Sequence, residues 1–252
     1  MGYYDLSVLE RKKLNDKMRE NIVIELKSGN LKNIIEYASD PDIYIRKNCY
    51  LILGRMYRKE ETNRITILHI LDLLSVSEDD RIRQTSVFLL GEIGKHDFNA
   101  VKTKLEIFFN DTSSSVKNGL TGAIKQIGQM NPEPVIAWVR EIIKSCNEDI
   151  QRRIIHGLEL RGRTHPEDIL PVIRQLLQTG MNRKTREMII HVIGQISYKN
   201  GCLQKVTSEL KKWNDNNLVE ECRKEIINVH LSYKKFSFLS SDETEKYMNS
   251  NL

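Results

Sequence analysis

The 252-residue sequence has no run of apolar residues approaching the ~20 that cross a bilayer. Its longest pure apolar stretches, such as Val87–Leu90, are only a few residues. No membrane span is expected. Four cysteines, Cys49, Cys146, Cys202 and Cys222, lie far apart and form no Cys-x-x-Cys. They read as reduced thiols of a cytoplasmic protein, with neither a zinc cluster nor a disulfide framework. The six histidines make no known metal spacing, so no metal is expected. There is no phosphate-cradling glycine loop, no dinucleotide fingerprint, no Gly-x-Ser-x-Gly and no His-Glu-x-x-His. Strand-like alternation is absent too. Met1–Leu9 runs into charge rather than an apolar segment, so no secretory signal is expected. Leu6 stands where a myristoylation start needs Ser or Thr.

What the chain does have is one pattern, repeated. An apolar residue at position 0 is often followed by a basic residue at +1, with a small or apolar one at +4. An aliphatic comes at +8, often a glycine at +9, and an apolar residue at +11. The copies begin at Ile45, Ile82, Val116, Ile150, Thr185 and Leu218, with spacings of 37, 34, 34, 35 and 33 residues. Offsets 0, +4, +8 and +11 share one side of a 3.6-residue helix. Each copy, here a B helix, is preceded by a second amphipathic segment, its A helix. These segments are 31–39, 64–76, 101–109, 133–145, 167–178 and 203–213. Polar turns such as Ser39-Asp40-Pro41-Asp42 separate the two. The expected fold is all-α, a stack of about six antiparallel helix pairs in which each pair uses its neighbours to complete its core. Residues 1–30 would form a capping helix, with Ser7 and Glu10 as its capping box. Residues 31–232 would form the array, and 233–252 a polar tail or short final helix.

The stripe +2, +6, +9 and +13 points away from the expected core. In the central copies it carries Lys125, Arg152, His156, Glu159, Arg163 and His191, with Arg153, Arg161, Arg183 and Lys184 nearby in sequence. His156 and His191 share offset +6 in adjacent copies and are expected to be neighbours. Phe88, Tyr198 and Tyr44 are the aromatics expected to see a ligand, and Trp138 and Trp213, on A helices, are expected to be packing aromatics of the outer layer or the inter-layer core. Gly119, Gly122 and Gly157 fall within helices, which suggests close approach of a helix or a ligand backbone.

Asp42–Arg46 and the step from Asp79/Asp80 to Arg83 resemble the HEAT motif, which implies a right-handed α-solenoid of about six HEAT-like antiparallel helix pairs whose B helices, and so the polar stripe, line a concave groove. The segments Asn131–Trp138 and Arg152–Pro171 resemble the HEAT-like-repeat DNA alkylation-repair glycosylases. That resemblance implies a groove for double-stranded DNA and excision of N3- or N7-alkylated purines, with no metal or organic cofactor. Lys47, Lys125, Arg152, Arg153, His156, Arg161, Arg163, Lys184 and His191 would contact the nucleic acid. Glu159 would be the carboxylate that stabilises charge on the sugar. The chain departs from the family at its third B helix, where Ser113–Asn118 holds no Trp-Asp pair. A second expectation stays open. Lys and Arg exceed Asp and Glu by only 39 to 34, a formal charge of +5, which suits a non-catalytic scaffold for a protein partner equally. A monomer is expected in either case.

Overall fold

A computed structural model describes residues 2–178 and 182–252. Every described element is helical. Helix α1 (Val8–Ser28) opens the chain, and its N-terminus is closed by the expected Ser7/Glu10 capping box. Six A/B pairs follow: α2 (Lys32–Ser39) with α3 (Ile43–Lys59), α4 (Arg64–Ser75) with α5 (Asp80–Gly94), and α6 (Lys102–Ile107) with α7 (Ser114–Met130). The rest are α8 (Pro132–Ile142) with α9 (Glu148–Gly162), α10 (Pro166–Leu177) with α11 (Arg183–Gln195), and α12 (Cys202–Leu210) with α13 (Asn216–Ser232). Residues 240–249 take the helical option, because α14 (Ser241–Asn251) packs on α13 and buries Thr244 and Met248. The chain divides into two compact units, residues 1–123 and 124–252, with the division inside α7.

Within the first unit, α3 packs against α5, and α1, α2 and α4 cover that pair. In the second unit, α9, α11 and α13 lie side by side, and α8, α10 and α12 form the other layer. The apolar stripe builds both cores. Cys49, Leu53, Ile82, Leu90, Ile154, Leu158, Ile189, Ile193, Cys222 and Ile226 are all buried. Trp138 and Trp213 are buried as expected.

In three copies the +1 residue has the same task, while Arg186 of the fifth copy instead pairs with Asp215 and Glu221. Arg46 donates to the turn carbonyls of Asp40 (2.6 Å) and Pro41 (3.2 Å), and reaches Gln84 of the next pair. Arg83 donates to the carbonyls of Ser77 and Glu78 and forks onto Asp111. Neutral Gln151 still donates to the Ile143 carbonyl (3.1 Å). These side chains satisfy backbone acceptors left open where the A helix ends.

The +9 glycines have a uniform task, and it differs from the one expected. They do not face solvent; they face the neighbouring B helix. A Cβ on Gly54 would stand 2.6 Å from Glu92 Cβ, one on Gly91 3.2 Å from Ala123 Cβ, and one on Gly194 2.7 Å from Glu225 Cγ. Gly119 and Gly122, by contrast, make room for the Phe88 ring. Gly54→Ala should therefore destabilise the protein by about 1–3 kcal/mol, since Glu92 Cβ is fixed to backbone. Gly122→Ala, whose new Cβ would find its nearest neighbour at 4.0 Å, should be neutral or stabilising by up to about 1 kcal/mol. Chemical denaturation of the two variants checks both signs.

Candidate functional site

The third and fourth copies have no glycine at +9. They carry Lys125 on α7 and Glu159 on α9, and these two residues meet. Lys125 Nζ lies 3.1 Å from Glu159 Oε2, and Arg163 Nη2 donates to Glu159 Oε1 at 2.5 Å. Two histidines complete the ring. His156 Nε2 is 3.3 Å and His191 Nε2 3.8 Å from Oε2. The imidazoles are neighbours, as their shared offset predicts, with centroids 6.0 Å apart and planes at 83°. Lys125 Nζ is also 2.8 Å from His156 Nε2. Arg163 is steadied in turn by Gln195 Oε1 at 2.9 Å.

Glu159 thus lies in the seam between B helices rather than on an open face, and its side chain is only 3% exposed. Burial alone would raise its pKa. The contacts with His156 and His191 and the charge of Lys125 outweigh that, holding the carboxyl far below the usual carboxylate range. The surrounding groups remain partly exposed, Lys125 at 26%, Arg163 at 30%, His156 at 35% and His191 at 43%.

The other expected contacts scatter. Arg152 and Arg153 both bond Asp149, at 2.9 and 2.8 Å, and Arg153 is buried. Arg161 is at +11, on the core side of α9, and bonds Asp168 of α10 at 2.7 Å, away from the B-helix face. Lys47 and Lys184 are exposed and make no hydrogen bond or ion pair among the described residues. Lys184 borders a depression lined by Glu148, Asp149, Arg152, Asn182, Arg183 and Glu187. Tyr198, expected to see a ligand, is instead buried against Tyr233, with rings stacked at 5.5 Å. Phe88 is half-buried against Tyr50. Tyr44 is exposed, in a cluster with Tyr3 and Tyr4 that Arg11 caps. The sequence reading missed that cluster, because its rings come from two distant segments.

No family model and no curated protein matches the chain. Among solved structures, smu.31 from Streptococcus mutans UA159 is similar, with 18% identity, a TM-score of 0.52, and coverage of 83% of this chain and 97% of that one. A computationally designed armadillo repeat protein for modular peptide recognition aligns at 12% identity and a TM-score of 0.34, over 79% of this chain and 99% of that one. An engineered protein aligns at 14% identity and 0.34, over 96% and 67%. Only the first has a TM-score above 0.5, and at its identity it speaks to the fold. The chain is an all-α helical-repeat protein. No described helix is long and apolar enough to cross a membrane.

Glu159→Gln should cost about 1–3 kcal/mol at neutral pH, because it strands cations that keep some access to water. The folded pKa is depressed, so the stabilisation is complete above the unfolded value near 4.5 and is lost as pH falls below it. The stability gap between wild type and Glu159→Gln should therefore narrow below pH 4.5. Urea titrations at neutral and acid pH measure it.

Proposed function

We propose that the protein is a non-catalytic helical-repeat module that binds a polypeptide partner on the B-helix face of its second unit. The observation that carries this is charge satisfaction. Of nine cationic or histidine side chains that would hold DNA, seven are already engaged by Glu159, Asp149 or Asp168. The exposed Lys184 stands among Glu148, Asp149 and Glu187. A phosphate backbone would meet those carboxylates as like charges, whereas a polypeptide can present both signs. Alkylpurine excision would need a carboxylate open to the sugar, and Glu159 is enclosed on the side of Oε1 by Arg163 and on the side of Oε2 by Lys125.

Panning a random-peptide display library against the purified chain should recover ligands carrying charges of both signs. Their affinity should fall about tenfold in the double variant Arg152→Glu, Lys184→Glu. A labelled duplex of roughly 20 base pairs should show only weak anisotropy changes. Tight duplex binding that collapses with salt and disappears in the same variant would instead establish the DNA reading and overturn this one.

A further inference from the structure

We propose that His156, Glu159 and His191 form a site for a divalent first-row transition ion, with Zn2+ the best match to the donors. The three ligand atoms lie within 4.8 Å of one another. In a tetrahedral zinc site with bonds of about 2.0–2.1 Å, neighbouring donors are roughly 3.3–3.5 Å apart. His156 Nε2 and His191 Nε2 stand 3.3 and 3.8 Å from Glu159 Oε2. Two imidazoles and a carboxylate form a three-ligand set that leaves a fourth position open. The histidines, the more exposed members, put that position toward solvent.

Two neighbours define how the site works. Arg163 holds Oε1 at 2.5 Å, which leaves Oε2 aimed at the imidazoles and fixes the carboxylate plane, as groups behind a ligand do in metal centres. Lys125 occupies the coordination position itself. Its ammonium lies 2.8 Å from His156 Nε2 and 3.1 Å from Glu159 Oε2, on the lone pairs an ion would take. The ion and Lys125 therefore compete for the same donors. The lysine has a flexible four-carbon stem and is partly exposed, so it can swing into solvent when the ion enters. Removing the ammonium while keeping the stem should then strengthen metal binding, which a merely adventitious surface histidine pair would not show.

The test is titration of the purified full chain with Co2+, read by its ligand-field absorption, followed by displacement with Zn2+. One equivalent should bind. Lys125→Met should bind at least about tenfold more tightly, and His191→Gln at least about tenfold more weakly. His191 is among the most exposed members, so its variant should keep the helical circular dichroism of the wild type. No ligand-field band in either the wild type or Lys125→Met overturns the proposal. So does a Co2+ affinity that His191→Gln leaves unchanged.

Discussion

The distance between adjacent B helices governs this molecule. At Gly54 and Gly194 the helices approach so closely that a methyl group has no room, and at Gly91 one would press on Ala123. Such contact lets the apolar stripes on either side interdigitate, and close packing is where dispersion and burial accumulate. A glycine within a helix costs roughly 1 kcal/mol relative to alanine, so the position is kept only where the approach repays it. Lys125 and Glu159 solve the same positional problem differently. Long side chains of opposite charge fill the seam and neutralise one another. The histidines and Arg163 gather there because the carboxylate needs donors on both oxygens.

A second device keeps the pairs in register. Arg46 and Arg83, at +1 of their B helices, tie down carbonyls where their own A helices end, and both also reach the following pair. Gln151 retains the first function without a charge. The essential element is therefore a donor of the right length, and the positive charge is secondary. This is why a count of arginines at helix starts overstates how much cation the protein offers a partner.

The pattern in the sequence located the helices well because their signal is summed over many residues. Offsets 0, +4, +8 and +11 identify the buried side, and the A helices begin and end within a few residues of their expected places. The site was legible only in part. His156 and His191 were paired correctly through their common offset. The position of +9 was not, because helical-wheel angles separate core from surface yet cannot say how close the next helix lies. Gly54 and Glu159 share an offset and look alike on a wheel; only the neighbouring helix distinguishes a missing Cβ from a buried carboxylate. Arg161 was misplaced by proximity in sequence, although its +11 offset already assigned it to the core side. Tyr198 was misplaced because the aromatic partner that buries it, Tyr233, comes from the chain end.

The Lys125–Glu159 pair carries a consequence for descent. At a glycine seam such as Gly54 even a methyl group must displace the facing helix, so the constraint rests on one position. A charged seam constrains two positions at once, since replacing Glu159 alone leaves Lys125 and Arg163 without their carboxylate, and replacing Lys125 alone takes one cation from an enclosed carboxylate. Exchanging one kind of seam for the other would therefore take a change of both residues together or a weakened intermediate.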